Sequence, residues 1–183
     1  MNQPTDDHLM AMVQNGDIGQ LGVLFERYHV SLYSFFVRLT GDRVLSEDLV
    51  QEVFLRMLKY RHTYRGGQFT CWMYRIARNA RGDHFRKWRA ESELPEADSL
   101  PSGQRSASET LEKQQDHQLL MAALARLPHD KREVLLLSRY QHLKYEEIAE
   151  LLGCTVTAVK LRVHRAMKDL RAHYFNLAGD PAS

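Results

Sequence analysis

Apolar residues recur at three- and four-residue intervals through most of this chain. Between residues 19 and 39 the stripe is Leu21, Leu24, Phe25, Tyr28, Leu32, Phe35, Phe36 and Leu39, the period of an amphipathic helix. Gly41-Asp42 closes it. The next helix is predicted to start with Ser46 as its cap and Glu47 and Asp48 in its first turn, where the helix dipole favours anions. Its apolar face is Leu49, Val50, Val53, Phe54, Met57 and Leu58. Gly66-Gly67 interrupts the chain, a further helix covers 69–89, and a short one around Leu9–Val13 completes a first bundle. Helical periodicity returns at Leu111 and runs to Arg126, where Leu127-Pro128 stops it. Three more helices are expected at about 130–140, 145–152 and 156–175. No segment alternates as a strand does, and no internal repeat is visible.

Between the two helical blocks lies "ESELPEADSLPSGQRSASET", residues 91–110. Rich in Ser, Pro, Gly and acid and without apolar period, it reads as a linker. Flexible, its twenty residues would span roughly 25 Å. The fold class expected is all-α: an N-terminal helical bundle over 1–90, an acidic flexible linker over 91–111, and a four-helix C-terminal domain over 112–178.

Charge sharpens that division. The 183 residues carry a net charge of only +2. Residues 1–90 are net +4, residues 91–111 net −4 and residues 112–183 net +2, so local fields exceed what the total suggests. The two cysteines, Cys71 and Cys154, sit in no CxxC or Cys/His cluster, as expected of reduced thiols. No apolar run approaches the length of a membrane span and the N-terminus has no signal-peptide pattern. The reading is a soluble cytoplasmic protein without membrane association.

"YEEIAELLGCTVTAVKLRVHRA", residues 145–166, has the layout of a helix-turn-helix. Ala149 is small where two helices must approach, and Gly153 stands where the turn calls for positive φ. Ile148 and Leu152 are expected to face inward, as are Val159 and Val163 on the second helix. That second helix also carries Lys160, Arg162, His164, Arg165, Lys168 and Arg171, with Thr155 and Thr157 at its N-terminal end. Such a helix suits the major groove: Arg bonds a guanine edge with two donors, while Lys and Thr hold phosphates. A solvated basic helix is the plainer alternative.

"FTCWMYRIARNARGDHFRKWR", residues 69–89, is the other candidate. Core packing accounts for Trp72, Met73, Ile76, Ala77 and Ala80. Arg75, Arg78, Arg81, Arg86, Lys87 and Arg89 oppose a single acid, Asp83, and Tyr74, Phe85 and Trp88 lie among them. Basic groups interleaved with aromatic faces suit single-stranded nucleic acid, and the Asn79 amide could read the edge of an extruded base. A wet helix face fits the same composition.

A duplex-reading module tethered to a possible single-strand-reading module resembles bacterial sigma factors, specifically the compact extracytoplasmic-function (ECF) group. The resemblance covers residues 7–90 and 112–175. "DLVQEVFLRMLK" (48–59) is similar to the family's helix that docks on the coiled coil of the largest RNA polymerase subunit. The 69–89 stretch is similar to its segment that melts and reads the −10 element. "LPHDKREVLLLSRYQHLKYEEIAELLGCTVTAVKLRVHRA" (127–166) is similar to its domain that reads the duplex −35 element. The resemblance implies that Asp48, Gln51, Glu52 and Phe54 contribute to the core polymerase interface. It places Trp72, Tyr74, Arg75, Asn79 and Arg81 in the −10 segment, Asn79 where the family binds a flipped base. Thr155, Thr157, Lys160, Arg162 and Arg165 fall to the −35 element. It also implies an anti-sigma factor as partner, no cofactor, and an acidic linker that follows a basic channel in the polymerase.

Two positions depart from the family pattern. Leu161 stands where a small residue, often Ser, is common; a leucine there could contact a thymine methyl or crowd the backbone. Lys144 stands where a Ser would form a capping box with Glu147, and its ammonium cannot accept the backbone N–H bonds, a loss of ~1 kcal/mol at the helix start. Two rival classes are a helix-turn-helix regulator acting without polymerase, which would favour a palindromic site, and an enzyme. The adjacent acids Asp6/Asp7 and Glu146/Glu147 point about 100° apart on a helix and form no dyad by themselves. No H-x-x-x-H pair suggests a metal, and no Walker-type motif suggests ATP. Neither a catalytic nor a metal-ligating residue is expected.

Overall fold

The computed structural model of the protein describes residues 4–91 and 111–179. Every regular element among them is helical: α1 (Asp6–Gln14), α2 (Gln20–Thr40), α3 (Arg43–Lys59), a single 3₁₀ turn (Arg61–Thr63), α4 (Phe69–Glu91), α5 (Leu111–Ala125), α6 (His129–Leu135), α7 (Tyr145–Leu152) and α8 (Val156–Ala178). The chain divides into two compact units. One is drawn from Met1–Phe36 and Arg43–Ala97, the other from Val37–Asp42 and Asp98–Ser183. The expected linker lies outside the described residues, except that its first residue, Glu91, ends α4 and its last, Leu111, begins α5.

The first unit is tied together through α1. Thr5 caps this helix by accepting from the His8 N–H at 3.2 Å. Leu9, Met10 and Val13 are buried. The adjacent acids Asp6 and Asp7 have separate structural tasks. Asp6 accepts from Arg27 at 2.7 Å and from the Tyr28 hydroxyl. Burial, with Asp6 alongside, pushes that phenol well above its ordinary range. Asp7 accepts from the Tyr64 hydroxyl and from the Gly67 N–H. The Gln14 amide donates to the carbonyls of Arg61 and Tyr64 at 2.8 and 2.9 Å. Gly66 and Gly67 both take positive φ, which lets the chain turn sharply from the 3₁₀ segment into α4. Leu24, Leu32, Phe35 and Phe36 of α2, with Val53 and Met57 of α3 and Met73 and Ala77 of α4, are fully or nearly fully buried.

One expected cap is displaced. α3 begins at Arg43, so Ser46 lies within the helix, wholly buried, and Glu47 and Asp48 stand beyond its first turn. The apolar face read from the sequence starts only at Leu49, which hid the first turn.

In the second unit the helix expected over 130–140 is present but changes its winding partway. After α6 the backbone widens through Leu136–Tyr140, and the Gln141 N–H reaches back five residues to the Leu136 carbonyl at 3.0 Å. Val134, Leu135, Leu136 and Leu137 are all buried. Four consecutive side chains sweep most of the way round a regular helix at 100° each, so this segment is enclosed by its unit on all sides rather than along one stripe.

The turn between α7 and α8 follows its sequence signals. Gly153 adopts φ +63. Its N–H bonds the Glu150 carbonyl, and the Cys154 N–H bonds the Ala149 carbonyl at 2.9 Å, the paired bonds of a Schellman cap. Ile148, Ala149 and Leu151 form the inner face of α7; Leu152, expected there, is half-buried. At the start of α7 the Glu147 carboxylate accepts from the Lys144 N–H at 2.7 Å. That is the half of the capping box a lysine permits.

Candidate nucleic-acid interface

Thr155 starts α8 by accepting from the Ala158 N–H at 3.1 Å. Val159, Val163 and Ala166 are buried against the unit. Thr157, Lys160, Leu161, Arg162, His164, Arg165 and Lys168 are exposed. At about 100° per residue, Thr157, Leu161, His164 and Lys168 occupy the middle of the solvent face, with Lys160 and Arg165 on its flanks. Arg162 lies about 100° round from Leu161, at the edge of the exposed face rather than its middle. The expected set thus contains the helix start, Thr157 in the middle of the face and the three cations Lys160, Arg162 and Arg165 to its sides, but not Leu161, His164 or Lys168. Leu161, His164 and Lys168 were findable from the heptad-like spacing with Thr157.

α4 presents a second basic surface. Arg75 and Asn79 are exposed. Asn79 lies at a cleft of about 420 Å³ between α3 and α4, lined by Arg56, Tyr60, Ile76, Arg78, Gly82, Asp83 and Arg86. The Arg81 guanidinium sits over the Phe85 ring, 4.6 Å from its centre, which leaves one planar cation already stacked on an aromatic. Trp88 is exposed farther along.

Two aromatics of the expected −10 set differ in exposure. Tyr74, expected among the DNA-facing residues, is 2% exposed. Its ring packs edge-on against Phe35 at 5.2 Å and its hydroxyl lies 3.2 Å from Ser31. Burial raises its phenol pKa, against the opposing hydrogen bond from Ser31. Trp72, which packing accounts for and which the resemblance also places in the −10 segment, is half-buried, stacked obliquely on Tyr64 at 5.1 Å with its indole N–H 3.4 Å from the Thr63 hydroxyl. The first turns of α4 are packed over a wide arc, by Tyr28 and Tyr64 around Phe69 and by Phe35 beside Tyr74. A single-stripe reading misses such an arc.

On α3, Asp48 and Gln51 are exposed, together with Val44 (71%) and Leu55 (63%). These four positions, spaced at three and four residues, share one face. Phe54, expected at the polymerase interface, is 7% exposed and packs edge-on against Phe25. Glu52 is engaged by Arg56 at 2.5 Å, and Arg56 reaches across to Asp83 of α4 at 2.6 Å. Burial alone would lower the Arg56 pKa, but the hydrogen bonds it donates to Glu52 and Asp83 outweigh it and raise it. The Arg56 hydrogen bond holds the Asp83 carboxyl below its ordinary range. This bridge fixes the wall of the cleft beside Asn79.

Among the described residues no group of three His, Cys, Asp or Glu side chains could hold a metal ion, and no helix is long and apolar enough to cross a membrane.

Comparison with known proteins gives the family. Residues 24–91 match the model of Sigma-70 region 2, and residues 117–170 that of Sigma-70 region 4. The ECF RNA polymerase sigma factor EcfG of Rhodopseudomonas palustris is 35% identical over 143 residues, 78% of each chain. The ECF RNA polymerase sigma-E factor of Escherichia coli is 31% identical over 90% of this chain and 91% of its own. Among solved structures, CnrH in complex with the cytosolic domain of CnrY is similar with a TM-score of 0.68 and 25% identity, covering 91% of this chain and 95% of that one. The chain belongs to the ECF RNA polymerase sigma factors. It is a subunit that binds core RNA polymerase and directs it to promoter DNA for initiation. A helix-turn-helix regulator independent of polymerase is not favoured.

Proposed function

We propose that the two units divide promoter recognition between them, residues 1–90 acting on core polymerase and the −10 element and residues 112–178 on the −35 element. The exposed α3 face of Asp48, Gln51 and Leu55, with Val44 one turn before, docks on the coiled coil of the largest polymerase subunit. Phe54 serves behind that face as packing, and Glu52 holds Arg56. α8 enters the major groove by its N-terminal half, with Thr155, Thr157, Lys160 and Arg165 on backbone and base edges and Arg162 on a flanking phosphate.

The α4 surface receives DNA already strand-separated. Arg75 and Arg81 follow the backbone, Trp72 borders the site, and Asn79 offers a donor and an acceptor to a base extruded into the adjoining cleft. Extrusion costs a few kcal/mol, which the pocket and stacking offset. The observation that carries this reading is the exposed Asn79 amide at a cleft of about 420 Å³ walled by Arg78 and Arg86, a space that admits a single base.

The chemistry of RNA synthesis stays with core polymerase, and this chain supplies recognition without catalysing a reaction itself, in the cytoplasm where transcription occurs. CnrH forms a complex with the cytosolic domain of CnrY; for this chain, an anti-sigma factor is the partner that holds it inactive by covering its polymerase-binding surfaces. The test is run-off transcription on a bacterial promoter library with core polymerase, with and without the protein. Discrete starts that appear only on addition support the reading. Failure to bind core, with duplex binding retained, refutes it.

A further inference from the structure

Leu161 is out of keeping with its surroundings. It is 46% exposed in the middle of the face formed by Thr157, His164 and Lys168, while Val159, Val163 and Ala166 of the same helix are buried on the opposite side. It is therefore no part of the core, and an exposed leucine forgoes the gain from leaving water.

A leucine seated in the major groove can meet only one group without loss. Every base edge there offers donors or acceptors, and an apolar side chain laid over one strips its water and replaces nothing. The thymine C5-methyl is the exception. Thr157 lies one turn before Leu161 and Arg165 one turn after, on adjoining strips of the helix, so polar contacts on either side hold the helix in register above that methyl. We propose that Leu161 reads thymine through its methyl group at one position of the duplex element bound by α8. The proposal rests on the docking of α8 in the major groove and extends it from a basic face to the choice of a base. Crowding, the other consequence open to a leucine here, would weaken binding to every sequence alike.

The test uses holoenzyme assembled from the full chain and core polymerase, on a promoter found by run-off transcription. Each thymine of the upstream element, on either strand, is replaced singly by deoxyuridine, which removes the methyl and keeps every hydrogen-bonding group. One replacement should weaken holoenzyme binding about fourfold, the effect of exposing one methyl-sized group. In Leu161→Ala the thymine-to-uracil ratio at that position should fall to about one, and in Leu161→Met it should persist. Selective promoter binding by the wild type with no uracil sensitivity anywhere overturns the proposal and leaves α8 docking intact. A ratio unchanged in Leu161→Ala does the same. Holoenzyme without preference for the promoter over unrelated duplex removes the docking itself, and the proposal with it.

Discussion

At the scale of single residues, exposure separates side chains that the sequence presents alike. Tyr74 and Asn79 stand five positions apart in one basic helix, yet Tyr74 is 2% exposed while Asn79 is open to solvent. Their alanine variants should fail differently. Tyr74→Ala leaves a cavity beside Phe35 and should cost about 3–5 kcal/mol, seen as a large drop in melting temperature by circular dichroism. Asn79→Ala should melt like the wild type. Its open complexes, counted by permanganate reactivity of unpaired thymines, should fall roughly tenfold, the value of one lost polar contact. Gly153 makes a third case. A Cβ there would meet nothing within 4 Å, but φ is +63, so Gly153→Ala pays only backbone strain of about 1–2 kcal/mol. Thermal unfolding should report that loss.

At the scale of elements, sequence and structure agree where burial is one-sided and part where it is not. The apolar stripe of α2, the Gly66-Gly67 break and the Gly153 turn were legible because each has a local cause: period, or positive φ. The start of α3, the wide arc of α4 and the widened turn after α6 were not, since these depend on neighbours distant in sequence. Site residues follow the same rule. The basic face of α8 could be read from spacing, whereas the Arg56–Asp83 bridge joins positions 27 apart. That bridge has a pH signature. Asp83 titrates below the ordinary 3.8 because of Arg56. Its contribution is therefore complete above the unfolded carboxyl's pKa and is lost as pH falls through the lower, folded value. With Asp83 44% exposed, solvent screening limits the contribution to about 0.5–1 kcal/mol. Asp83→Asn should be less stable than the wild type by that amount at neutral pH. The gap should hold down to about pH 5 and close below the folded value, in denaturant titrations run at each pH.

At the scale of the whole molecule, neither unit has to bind DNA tightly. α8 exposes few cations, Lys160, Arg162, Arg165 and Lys168 among them, and the DNA proposed for α4 is double-stranded until polymerase acts. On this reading each contact can be weak alone, because linkage to one polymerase raises the local concentration of each unit at its element. The covalent connection is then itself a determinant of initiation, separate from any side chain. A protease site placed within residues 92–110 leaves both sets of interface residues untouched. If linkage carries the affinity, cleavage after holoenzyme assembly should reduce run-off transcript by about 10²-fold or more on promoters that need both elements. The first unit should stay bound to core through α3, and the second should be lost from the complex on gel filtration. Transcription undiminished by cleavage would place the affinity in the separate units and their polymerase contacts, and the tether would then be dispensable once the complex has formed.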